Sequence, residues 1–129
     1  MEALVSILIF SFGILGLIRL EASAIDSSVD AEDRNRASLF ASEVASAMWL
    51  ANTVDKTNPL LATQFAAWNT SVSNAAGTGM TNGTLNIATV PTIMNSAGIV
   101  IAADITIQWK PPSHAAATLS TLTTRVILP

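Results

Sequence analysis

Sixteen consecutive residues near the start of the chain, Ala3 to Ile18, read ALVSILIFSFGILGLI and include neither a charge nor a proline. No other feature constrains the fold as much. Leu4, Ile7, Leu8, Phe10, Ile14, Leu15, Leu17 and Ile18 fall on every face of a helical wheel, so a helix built from this run has no polar side to turn to water. A free-standing membrane span typically takes about 20 apolar residues, slightly more than the run supplies. Buried core helix, membrane span and signal-peptide core are all open on this run alone.

The edges of the run narrow the choice. Glu2 stands at its start, where an acid facing water suits the positive end of a helix macrodipole. Beside lipid, the same carboxylate must be paired or stay at the interface. Arg19 and Glu21 close the run, followed by Ala22-Ser23-Ala24, which has the small-x-small form of a signal-peptidase site. A secreted binding or adhesion module with a cleaved signal is therefore one expectation. Against it, the residues before the run offer Glu2 and no Lys or Arg, and Arg19 and Glu21 intervene before the cleavage site. Gly13, Gly16, Ser6 and Ser11 bring small residues into the run, of the kind that let membrane helices approach closely.

Composition limits what the remainder can do. The 129 residues have room for one domain, with 50% hydrophobic and only 12% charged residues, and the apolar excess is concentrated at the start. Net charge is −3 with no basic cluster, which gives nucleic acid no electrostatic footing. Cysteine is absent, so disulfides, thiolate catalysis and cysteine-held metal are excluded.

After Ala24 the solvent preference changes but nothing breaks the chain. Asp26 to Ala51 has no Gly or Pro, and Asp30/Arg34 and Glu32/Arg36 are acid-first pairs at helical spacing. Leu39, Phe40, Val44, Ala47, Met48 and Ala51 then recur as an apolar stripe, with Phe40, Val44 and Met48 expected to pack on a partner. One helix from near Met1 to about Asn52 spans about 75 Å at 1.5 Å per residue. Asn52 to Asn58 closes it, and Pro59 to Ala76 reads as a second helix with Leu60, Leu61, Phe65, Ala66 and Trp68. The run Gly77 to Gly83 is a turn-rich loop with no lysine and no phosphate-loop spacing.

The last third alternates. Ile99, Ile101, Ala103, Ile105, Ile107 and Trp109 share one face of a strand, and Leu122, Thr124, Val126 and Leu128 share one face of another. Leu85, Ile87 and Thr89 make an earlier strand that ends before Pro91. Three strands with one apolar face need a cover, and the Phe40/Val44/Met48 stripe supplies it. The expected fold is α+β, a long N-terminal membrane-spanning helix packed by its second half on a small antiparallel sheet. Residues 1–24 form the apolar anchor, and residues 25–129 form a head whose first helix, 25–52, continues the anchor.

No constellation points to catalysis. His114 is the single histidine, placed in a loop with Lys110, Pro111, Pro112 and Ser113. No His, Asp or Glu cluster has metal spacing, and no Gly-x-Ser-x-Gly elbow is present. Trp49, Trp68 and Trp109 fit a core or a subunit interface. Asn69-Thr70-Ser71 and Asn82-Gly83-Thr84 match a glycosylation pattern that often arises by chance. The expectation is a non-enzyme with no cofactor and no metal.

Met1-Glu2-Ala3-Leu4-Val5-Ser6-Ile7-Leu8-Ile9-Phe10, followed by Gly13-Ile14-Leu15-Gly16-Leu17, resembles the N-terminus of type IV pilins, and more narrowly that of the type IV pilus modification protein, the PilV-type minor pilin. A glutamate opens an apolar helix, and a Gly-x-Leu-Gly-Leu run precedes a polar switch. Ala37 to Trp49 also looks like that family's continuing helix. The specific part covers about the first 50 residues, and the sheet fits the general pilin layout. Family precursors carry a basic leader ending in glycine and a few further residues before the glutamate, whereas Met1 directly precedes Glu2. Either leader and first mature residues lie upstream of this sequence, or the chain is processed otherwise.

The resemblance implies a minor pilin that waits in the inner membrane with a periplasmic head and then enters a cell-surface pilus. Its implied partners are other pilins, major and minor, inner-membrane lipid before assembly, and prepilin peptidase if a leader exists. Glu2, Gly13 and Gly16 are the implied assembly residues, with Glu2 neutralising the terminal amine of a neighbouring subunit in the apolar filament core. A minor pseudopilin of type II secretion, built on the same physics, is the near alternative.

Overall fold

A computed structural model describes residues 2–77, 79–111 and 118–129. His114 and the rest of 112–117 lie outside the described residues. Five elements follow in chain order: α1 (Glu2–Ala51), α2 (Pro59–Ser73), β1 (Thr84–Thr89), β2 (Ala102–Trp109) and β3 (Ser120–Ile127). The layout is α+β, a long N-terminal helix with a three-stranded antiparallel sheet.

The 50 residues of α1 run without interruption from the apolar segment into the head. Ser11 and Ser27, which compete with helix elsewhere, turn their hydroxyls back to the carbonyls of Ile7 and Ser23, at 2.7 and 3.0 Å. The end of α1 is a Schellman turn. Asn52 takes a left-handed φ of 47°, its N–H donates to Trp49 O, and Thr53 N–H donates to Met48 O. Val54 folds back into the core beyond it. Asn58 caps α2 by accepting Leu60 N–H at 3.0 Å, with Pro59 at the first turn, where its missing N–H leaves nothing unmet. The second helix stops at Ser73 rather than Ala76, because Asn74 leaves the helical region and its N–H donates to Ser71 O.

The sheet is a meander with β2 central. Ile87 stands opposite Ile105, Leu85 opposite Ile107, and Val126 opposite Ala103, all on the buried face. The other face is polar: Asn86, Thr106 and Thr123 lie in one row across the three strands. Residues 99–101 do not belong to β2. Ile101 N–H donates to Ile93 O, Val100 bridges Met94, and Ile99 is exposed. Asn95 holds that excursion by accepting N–H bonds from Ala97 and Ile99.

The core lies between the sheet and the second half of α1. Asp33, Ala37, Ala41, Val44 and Met48 are the buried residues of α1, at helical spacing. Two of the expected packing residues, Val44 and Met48, are fully buried, while Phe40 packs at the rim and Leu39 faces solvent. The alanines explain the shift: they let the helix axis approach the sheet more closely than Leu39 or Phe40 would allow. Leu61, Trp68 and Val72 bring α2 to the same core, and Trp68 Nε1–H donates to Glu43 Oε1 of α1 at 2.9 Å.

The glycine loop anchors the end of α2. A Cβ on Gly79 would stand 2.3 Å from Ser71 O, and one on Gly83 would stand 2.2 Å from Val72 O. No larger residue fits at either position. Arg36 reaches across from α1 to donate to Gly79 O, at 3.1 Å, while also pairing with Glu32.

Candidate functional site

The first 28 residues of α1, Glu2 to Val29, are exposed without exception. Leu4, Ile9, Phe10, Phe12, Leu17 and Leu20 each show roughly two-thirds of their surface or more to the surroundings. In water such an all-round apolar helix has no stable place. It is long and apolar enough to cross a membrane, and none of the apolar stretch is covered by the rest of the chain. An α-helix satisfies its own backbone groups internally, so this segment can meet lipid without unpaired N–H or C=O groups.

Each expected assembly residue has a definite place in that segment. Glu2 lies in the first turn, exposed, where its charge suits the helix macrodipole. Nothing lies within 4 Å of where a Cβ would stand on Gly13 or Gly16. The two glycines therefore have no packing reason within the fold. They leave a shallow stretch on the helix that a neighbouring helix can approach closely.

Above the apolar segment lies a charged collar. Arg19, Glu21 and Asp26 are exposed, and Arg36 pairs with Glu32 as the spacing predicts. Asp33 is the exception. It is 7% exposed, at the first buried position of the stripe that docks the head. Burial pushes its carboxyl above the ordinary value of 3.8; Arg36 opposes the shift, and Glu32 and Asp30 reinforce it. Sequence reading missed Asp33 because a charge does not register in an apolar pattern. Its i, i+4, i+8 relation to Ala37 and Ala41 was the available signal.

The head's described acidic groups sit in local contacts. No group of three His, Asp or Glu side chains there is placed to hold a metal. Two carboxylates are held below their ordinary range for local reasons. Asp55 accepts the N–H and hydroxyl of Thr57, and Asp104 is bonded by Arg125 across β2 and β3. Trp68 and Trp109 are buried in the core, while Trp49 is half exposed on the side of α1 away from the sheet, near Leu50.

No family model matches the chain, and no curated protein or solved structure matches it.

Proposed function

We propose that this chain is a minor pilin, held in the inner membrane by the first half of α1 with its head in the periplasm and later built into a type IV pilus. The observation that carries the reading is the exposure of every residue from Glu2 to Val29 on a helix that continues, unbroken, into the cover of the head's own sheet. A helix anchored at one end by a folded head and bare at the other suits two environments in turn. Lipid solvates the bare half first; neighbouring helices of the same kind replace lipid in the filament.

Glu2 has a task in the second environment. In a filament core of low dielectric an unpaired carboxylate is strongly disfavoured, so Glu2 takes the terminal amine of a neighbouring subunit and fixes the register between them. Gly13 and Gly16 allow the close helix approach that this packing needs. The role is structural rather than enzymatic, with other pilins and membrane lipid as partners.

Mass spectrometry of the N-terminal peptide, from membranes and from sheared surface filaments, tests this reading. Recovery of the apolar segment in both fractions is the expected result. Retention in membranes with consistent absence from filaments points instead to a type II secretion pseudopilin. A mature peptide beginning at Ile25 makes the chain a secreted soluble domain and ends the proposal. Glu2→Ala is expected to insert in the membrane normally and to be depleted from filaments; normal incorporation removes the role given to Glu2.

A further inference from the structure

Asn82 is the one asparagine of the chain that precedes a glycine. That dipeptide carries its own chemistry, because the amide nitrogen of the second residue can attack the side-chain carbonyl of the first, and a glycine puts no side chain in the way. A bond forms from Gly83 N to Asn82 Cγ, the bond from Cγ to Nδ2 breaks, and ammonia leaves with the proton of the Gly83 amide. Water then opens the cyclic imide. Attack at Cγ leaves aspartate; attack at the main-chain carbonyl of Asn82 leaves isoaspartate, with one extra carbon in the backbone. Water is the only co-reactant.

The fold holds this pair away from that reaction. Asn82 is exposed and Gly83 is buried. Gly83 N–H donates to Met80 O at 2.9 Å, closing a four-residue turn in which Asn82 takes a left-handed φ of 52°, the sign that the third position of a type II turn requires. This bond restrains the chemistry twice. The reacting nitrogen must lose the proton it is donating, and the peptide plane after Asn82 must rotate to bring that nitrogen against Cγ. The turn is itself strapped. Met80 N–H donates to Val72 O at 2.9 Å, Lys110 N–H to Thr81 O at 2.8 Å, and the Arg36 guanidinium to Gly79 O at 3.1 Å. Gly83 lies so close to Val72 O that a Cβ would stand 2.2 Å from it, so the plane has no room to rotate while the straps hold.

We infer that Asn82-Gly83 is a site of spontaneous covalent modification, closed in the folded head and opened by release of the turn at 79–83. The change runs one way. Thr81 is tied to the end of β2 and Gly83 is pressed on the end of α2, so the extra backbone carbon of isoaspartate has no place between them, and the turn cannot close again as before. Other asparagines lack one part of the device. Asn58 precedes proline, which has no N–H to lose. Asn69 lies within α2 and Asn86 within β1, where the backbone is held by its neighbours. The side-chain oxygen of Asn95 accepts the N–H groups of Ala97 and Ile99. The inference stands on the head alone and is independent of the filament reading.

The test is incubation of the full chain in detergent at mildly alkaline pH, with mass spectrometry of its peptides to read the gain of one mass unit and chromatography to separate aspartate from isoaspartate. In urea-unfolded chain, Asn82 is expected to convert before any other asparagine. In folded chain its rate is expected to be lower by about tenfold or more, because conversion waits for local opening. Arg36→Ala removes one strap and should raise the folded rate by about tenfold, the factor for a lost hydrogen bond from a charged group. If that variant does not fold, urea below the head's transition replaces it: the rate should rise less steeply with urea than the unfolding equilibrium does, since only the turn has to open. A different asparagine converting first in the unfolded chain overturns the site. A folded rate equal to the unfolded one overturns the closure. A rate that tracks global unfolding, or that Arg36→Ala leaves unchanged in a folded head, overturns the turn as the gate.

Discussion

The two halves of α1 share one unbroken backbone and meet opposite surroundings. From Glu2 to Val29 every residue is exposed, and from Asp30 to Ala51 one stripe is sealed against the sheet. The head-bearing half is stabilised by packing, at Ala37, Ala41, Val44 and Met48. The other half has only its own backbone bonds and whatever solvent it is given. Apolar residues in the two halves therefore serve different ends: in one they hold the fold, in the other they choose its environment.

The sharpest way to break this contrast is to truncate one apolar side chain in each half. Met48→Ala should destabilise the head by about 2–5 kcal/mol, through lost burial and the cavity left behind. Leu8→Ala should leave the head's unfolding midpoint unchanged, since Leu8 touches nothing in the head. Chemical unfolding of the full chain in detergent, followed by Trp68 and Trp109 fluorescence, reads both. Equal losses from the two variants would mean that the halves are not independent.

Glycines give the next comparison. Gly83→Ala forces a Cβ to 2.2 Å from Val72 O and should lower head stability by about 1–3 kcal/mol as the end of α2 is pushed away. Gly16→Ala has open space and relieves the entropy of a helical glycine by about 1 kcal/mol. Its loss should register only where helices pack together, as reduced recovery in sheared filaments. A Gly16→Ala chain that assembles normally would leave that glycine without a role.

The smallest effect is a pair of opposite pH responses. Asp33 has a raised folded pKa, so the fold favours its protonated form. Stability from this group is fully present below the ordinary value of 3.8 and declines as pH rises through the folded value. Asp33→Asn should therefore be more stable than the parent at pH 7 and indistinguishable from it well below 3.8. Asp104 is lowered by its bond from Arg125, so its contribution is present above the ordinary value and is lost as pH falls through the folded one. Asp104→Asn should cost a little at pH 7 and nothing in acid. Urea midpoints across that range check both signs.

Much of the layout was legible because periodicity and punctuation are local. The absence of Gly and Pro from Asp26 to Ala51 made α1 continuous, Asn58-Pro59 started α2, and alternation from Ala103 to Trp109 marked the central strand. The errors came where a distant contact overrode a local pattern. Ile99 and Ile101 alternate like strand residues, yet Ile101 bonds back to Ile93, and the turn at Asn95 takes them out of β2. Asp33 was passed over because a charge does not register in an apolar pattern, although its spacing to Ala37 and Ala41 places it on the same face. Glu2, Gly13 and Gly16, the residues proposed for assembly, are exposed within the fold, and nothing lies near either glycine.

By itself the sequence determined that residues 3–18 form an apolar run with no polar face, that one helix continues from it, and that a half-apolar sheet awaits a cover. These are properties of single segments, set by hydropathy, by backbone breakers and by the two-residue repeat. The sequence already put Val44 and Met48 on the covering face; only the tertiary structure extended that face to Asp33, Ala37 and Ala41 and left Leu39 in solvent. The Ala37/Ala41 side won because small residues there let helix and sheet close to van der Waals contact, even though Asp33 had to be buried with them. The same packing brought Lys56 to the β1 edge, a contact that depends on where a loop from another part of the chain comes to rest.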